Sequence, residues 1–258
     1  MAGTGKGGQT RAKRGARKSS RKPRSGAARS GFSRWVVRGV ALVALIGLGF
    51  AAWLWWDMRT WRPDPALYPE QGALISSGAA GTRFETLEAI GADFVYLELA
   101  GAGRAPDPGF AARLVSARAS GLRVGVVQPF DPCLRADEQS ARFNRMVPRD
   151  ADLLPPALAL TRTGSDCMPV VSDAAIESEL MTLINQIEMH AGRPVILKLG
   201  SEFEARHRIA GTIARDLWLI RDRARPDYAG RPWLLWSANS QLVSEADDQE
   251  IEWMVIQR

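Results

Sequence analysis

The residues best placed to do chemistry are carboxylates at the ends of short apolar runs. Glu98 closes the run DFVYLEL and shares one face with Phe94 and Tyr96 by strand alternation. If that face points inward, its carboxyl sits among apolar side chains, where burial raises the pKa toward that of a general acid. Lys198 stands at the same end of the run PVILKL, so a buried Glu98–Lys198 ion pair is the structural reading of the same two residues. Glu202 and Glu204 follow in GSEFE, where two loop carboxylates are ordinarily solvated surface and a catalytic role is the sharper reading. His190 ends a helical pattern, a favourable place for a cation, and His207 stands between Arg206 and Arg208. Neither has metal-ligand spacing, so no metal and no cofactor is expected.

These groups must be positioned by a regular frame, and the apolar runs supply one. ALIS (73–76), DFVYLEL (93–99), LRVGVVQ (122–128), ALALT (157–161), PVILKL (194–199), DLWLI (216–220), PWLLWS (232–237) and IEWMVI (251–256) read as strands. Helical stripes lie between several of them: Phe84, Leu87 and Ile90, then Phe110, Leu114 and Ala117. The clearest helix covers 173–191, with Asp173 as its N-cap and Ile176, Leu180, Leu183, Ile184 and Ile187 on one face. Alternating strands and helices predict parallel strands and an α/β fold, and eight strands predict an irregular, TIM-like (β/α) barrel. The later runs are closer together with little helix between them, so irregularity belongs in the second half. The strand ends that carry Glu98 and Lys198 are the C-terminal ends, where barrel active sites are built.

Charge separates this domain from what precedes it. Twelve of the 34 basic residues fall within residues 1–38, which hold no acid, so the remainder carries 22 basic against 28 acidic residues. Residues 1–34 are Gly, Ser, Ala, Lys and Arg with almost no apolar content, and read as a disordered basic tail. Residues 35–56 read as a transmembrane helix: at a rise of about 1.5 Å per residue they span roughly 33 Å, and tryptophans mark both ends. A buried helix and a cleaved signal peptide are the competing readings. The long basic stretch and the ending WLWWD, without a small-x-small site, oppose the second. The Lys/Arg block predicts a single-pass protein with the tail in the cytoplasm, against anionic lipid rather than nucleic acid, and residues 57–258 outside the inner or plasma membrane. Residues 57–70 read as a Pro-rich stalk and 71–258 as the barrel domain. Cys133 (FDPC) and Cys167 (TGSDC) then fall in loops at one end of the barrel in an oxidising compartment, which favours a disulfide over two separate buried thiols.

The order of these segments resembles the glycoside hydrolase family 25 lysozymes, which cleave the muramic acid–glucosamine bond of peptidoglycan. GALIS (72–76) is similar to the family's Gly-Ile-Asp-Val-Ser-type opening strand, and DFVYLELAGAG (93–103) to its Phe-Val-x-Ile-Lys-x-x-Glu-Gly segment. LRVGVVQPF resembles Gly-x-Tyr-His-Phe, and LPPALALT (154–161) resembles the Leu-Asp-x-Glu strand. LWLIR (217–221), WLLWSANS (233–240) and IEWMVI resemble the Leu-Trp-x-Ala, Trp-x-x-Trp-Gln-Tyr-Ser and Val-Asp-x-Asn-x-Phe segments. The resemblance covers residues 71–258 and implies the family's barrel, with Trp236, Asn239 and Glu252 as glycan contacts and the two cysteines bracing the rim of the groove.

The resemblance does not carry the catalytic acids. Their positions fall on Leu74, on Ala159 and Thr161, and on Gly101, and the Tyr-His pair falls on Val127 and Gln128; only Glu252 survives in kind. Glycoside hydrolysis needs a carboxyl to protonate the leaving oxygen and a second group to stabilise the oxocarbenium-like centre, and aliphatic side chains supply neither. The leading expectation is therefore a membrane-anchored, catalytically degraded lysozyme-like domain that binds peptidoglycan or an envelope protein. An active hydrolase is the alternative, with Glu98 working with Glu202 or Asp131 at about 5–9.5 Å. The third reading is an interaction module without glycan affinity, favoured if Trp233, Trp236 and Trp253 are buried rather than exposed as platforms.

Overall fold

A computed structural model describes residues 29–101 and 103–257, and the chain divides into two units, Met1–Trp53 and Leu54–Arg258. Residues 1–28, most of the expected basic tail, lie outside the described residues. The described part of the first unit belongs to helix α1, Arg29–Thr60, which begins six residues ahead of the expected start at Trp35. No proline interrupts the chain between Pro23 and Pro63, and the composition is rich in Ala and Leu, so nothing stops the helix earlier. From Arg34 to Thr60 it is long and apolar enough to cross a membrane, and its most apolar stretch is not buried by protein.

In the second unit, eight strands close a barrel among the described residues: β1 Gln71–Ile75, β2 Phe94–Glu98, β3 Arg123–Pro129, β4 Ala157–Leu160, β5 Ile196–Leu199, β6 Asp216–Ile220, β7 Leu235–Leu242 and β8 Ile251–Ile256. Helices α2 Phe84–Ala89, α3 Phe110–Ala119, α4 Ala136–Met146, α5 Asp173–Ala191, α6 Ser201–His207 and α7 Ile209–Thr212 connect the first six strands. Strands β1 to β7 run parallel, as the alternation predicts, and are buried on both faces. Inside the barrel lie Leu74, Phe94, Tyr96, Val127, Ala157, Ala159, Ile196, Trp218, Leu235 and Met254. Gly72 and Gly125 admit the two large rings, because a Cβ at either would overlap Phe94 or Tyr96.

Three expectations need correction. β8 is antiparallel to both β7 and β1, since the eight residues from Val243 to Glu250 are too few for a crossover helix. The N-cap of α5 is Ser172, whose hydroxyl accepts from the Ala175 amide, while Asp173 is the first helical residue and faces Arg206 and His207. Residues 57–70 are not a free spacer. Asn239 donates to the Trp61 carbonyl at 2.9 Å, the Val243 amide donates to that of Arg59 at 3.0 Å, and Arg59 pairs with Glu250 at 2.5 Å. Gln71 donates to the carbonyls of Pro63 and Tyr68 and accepts from the buried indole of Trp253. Trp61 and Tyr68 pack on the core, so apolar burial fastens this segment as well as hydrogen bonds.

Candidate functional site

The barrel interior turns polar toward the C-terminal ends of its parallel strands. Lys198 of β5 reaches Glu252 of β8 at 2.7 Å, and the two side chains are only 5% and 15% exposed. The other Glu252 oxygen accepts from the Ser237 hydroxyl, which itself accepts from the Trp218 indole at 2.6 Å. The Lys198 ammonium also lies 4.7 Å from the centre of the Trp218 ring. Donors from β5 and β7, the second itself held by the β6 indole, thus engage both oxygens of the one carboxylate of β8. The expected Glu98–Lys198 ion pair is not formed, because Lys198 is committed to Glu252.

Glu98 instead ends β2 at the wall of a cavity of about 470 Å³, half-buried, with the Ser77 backbone amide donating to it. Burial holds its carboxyl above the ordinary value of 4.5, against the pull of Lys198, and Glu252 adds to the rise. The cavity lies over the ends of β1 to β4, and Arg104, Asp131 and Arg162 line it too. Asp131 is tied to Arg162 at 2.7 Å and also accepts from the Cys133 amide. Among the described residues the Arg104 guanidinium makes no hydrogen bond or ion pair. Cys133 and Cys167 are joined as a disulfide between the loops that follow β3 and β4, beside this cavity.

The remaining candidates are dispersed. Glu202 is exposed in the first turn of α6, so GSEFE is helix rather than loop. Glu204, expected on the surface, is buried and accepts from the Ala210 amide, capping α7. Trp236 and Asn239 are not free to contact a glycan: both are buried, one donating to the Arg221 carbonyl and the other holding Trp61. Trp233, Trp236 and Trp253 are 8%, 3% and 0% exposed, so none is a stacking platform. His207 is buried against Phe203 rather than solvated among its arginine neighbours. Arg104 and Arg162 escaped the sequence reading, although both lie just past strand ends, where barrel sites are built.

No protein-family model matches this chain, and no curated protein matches it either. Solved structures do. A family 25 glycosyl hydrolase from Bacillus anthracis superposes with a TM-score of 0.68 at 20% identity, covering 78% of this chain and 93% of that one. The bacterial lysozyme from Streptomyces coelicolor gives 0.64 at 15% identity over 73% of this chain and 92% of its own. A family 25 lysozyme from Aspergillus fumigatus gives 0.59 at 16% identity over 73% and 94%. The fold is that of the family 25 glycoside hydrolases. At the positions where the sequence resemblance sets that family's acids, this barrel presents Leu74 and Ala159 inside its apolar lining and an exposed Thr161. Gly101 borders the cavity with open space where a side chain would project.

The raised pKa of Glu98 has a testable sign. Its folded value lies above the unfolded one, so between the two the folded chain keeps a proton that the unfolded chain has released. This residue therefore costs stability as pH rises past about 4.5, and costs none below. Relative to the native protein, Glu98→Gln is expected to gain Tm as pH rises above about 4.5, the gain levelling off once the folded carboxyl has ionised. A difference that stays constant or runs the other way would contradict the placement of Glu98.

Proposed function

We propose that the protein is a catalytically inactive, lysozyme-fold envelope module, anchored by α1 with its N-terminus in the cytoplasm, that binds peptidoglycan at the mouth of its barrel. One observation carries the reading. Glu252, the only acid that survives at a family position, has both oxygens occupied by Lys198 and Ser237, while the other acid positions hold no ionisable group. Glu98 alone cannot supply both the proton and the stabilising carboxylate, and its neighbour Asp131 is paired with Arg162. The disulfide supports a location outside the reducing cytoplasm. The cavity supports retained binding, since a barrel serving only as a scaffold has no use for unpaired charge at its mouth.

A second reading has its own support. The three buried tryptophans remove the aromatic surface that sugar rings stack on, which favours an interaction module without glycan affinity. Co-sedimentation of the full chain in detergent micelles with purified sacculi separates the two. The proposal expects the protein in the pellet, released by added soluble muropeptides; protein left wholly in the supernatant would sink it.

A further inference from the structure

The cavity at the ends of β1 to β4 carries four charged side chains and exposes no aromatic face. Phe130, its one aromatic lining residue, is 1% exposed, so no ring faces the space. Arg104 and Arg162 stand at the wall with Glu98 and Asp131. Arg162 donates from one terminal nitrogen to Asp131 and from the other to the Cys133 sulfur at 3.6 Å, which leaves the second N–H of each without a partner among the described residues. The Arg104 guanidinium has all its donors free among the described residues. Glu98 accepts from the Ser77 amide and makes no ion pair among those residues.

A guanidinium with free donors binds a carboxylate in bidentate fashion, and a half-buried carboxyl opposite it takes an ammonium or amide N–H. A neutral sugar offers neither charge. We infer that this cavity binds the peptide branches of peptidoglycan rather than its glycan strand, with Arg104 and Arg162 on a peptide carboxylate and Glu98 on an amine. This rests on the proposed peptidoglycan binding and assigns the part of the polymer that is held. It also explains how a lysozyme-fold mouth with no stacking platform retains a ligand from the same polymer. The volume of about 470 Å³ suits a few amino-acid residues, within the usual range of small-ligand sites.

The test uses the full chain in detergent micelles and three probes in calorimetric titrations. These are a synthetic stem tetrapeptide with a free amine and a free C-terminal carboxylate, the same peptide amidated at its C-terminus, and chitotetraose. The acid peptide is expected to bind, its amide about tenfold more weakly, and chitotetraose not at all. Arg104→Gln is expected to weaken the acid peptide about tenfold and leave the amide unchanged, with partial recovery in Arg104→Lys. Because Arg104 is exposed, these variants fold, which unchanged melting curves check. An equal effect of Arg104→Gln on both peptides, or chitotetraose binding as well as the acid peptide, would overturn the inference. If sacculi pellet the protein while the peptide does not bind, the inference fails and the proposed function stands. If neither binds, both fall.

Discussion

Lys198→Met is expected to lower the melting temperature of the barrel domain by roughly 10 °C, from a cost of about 3–5 kcal/mol. The substitution keeps the length of the side chain and its contact with Trp218 but leaves the Glu252 carboxylate, only 15% exposed, without its ammonium. Removing one partner of a buried pair costs far more than the pair is worth, because the remaining charge is neither solvated nor matched. The double variant Lys198→Met, Glu252→Gln removes the uncompensated charge and keeps a side-chain oxygen for the Ser237 hydroxyl. It is expected to recover more than half of the lost stability, as read by thermal unfolding of the full chain. A loss below about 1 kcal/mol in the single variant, the range of a surface pair, would mean that water reaches Glu252 and that this carboxylate is open to a ligand.

The disulfide gives the second large effect. Cys133 and Cys167 are 34 residues apart, and opening a loop of that length returns entropy to the unfolded chain worth about 4 kcal/mol in the loop-closure account. Cys133→Ala combined with Cys167→Ala is therefore expected to lower the melting temperature by roughly 10 °C, and a reducing agent should lower that of the native protein by a similar amount. Either single substitution should match the double one, since one cysteine alone makes no bridge. The same change frees the two loops that hold Asp131 and Arg162 beside the cavity, so peptide binding should weaken with it. A loss under about 1 kcal/mol would show that packing of α4 against α5 alone holds the two loops together.

The strands were legible because each is a short apolar run, and a parallel barrel buries both faces of its strands. The stripe of Ile176, Leu180, Leu183, Ile184 and Ile187 was equally readable, and all five residues are buried. The reversal of β8 was not, since a short apolar run looks the same in either direction and only the brief connection from Leu242 to Ile251 betrays it. The partner of Lys198 was beyond the sequence for a geometric reason. In the closed strand order β2 and β8 both lie three strands round from β5, so Glu98 and Glu252 were equivalent choices. The β6–β7 side wins because Trp218 draws the ammonium toward it and Ser237 supplies a second donor to Glu252. Trp236 and Asn239 were misassigned because a motif fixes residue type and order, not the side chain's partner. Here the partners are the Arg221 carbonyl and the Trp61 carbonyl in the segment that precedes β1.

The claim on which the functional reading turns is that this barrel mouth holds no working pair of carboxyl groups. Incubating the full chain in detergent with purified sacculi, and measuring the reducing sugar ends released into solution, tests it most directly. The prediction is a release no greater than that of sacculi incubated with detergent alone, at any pH between about 4 and 8, the range over which carboxyl-based acid catalysis operates. Release that grows with protein concentration and vanishes in Glu98→Gln would contradict it, and would make Glu98 the acid of an active hydrolase.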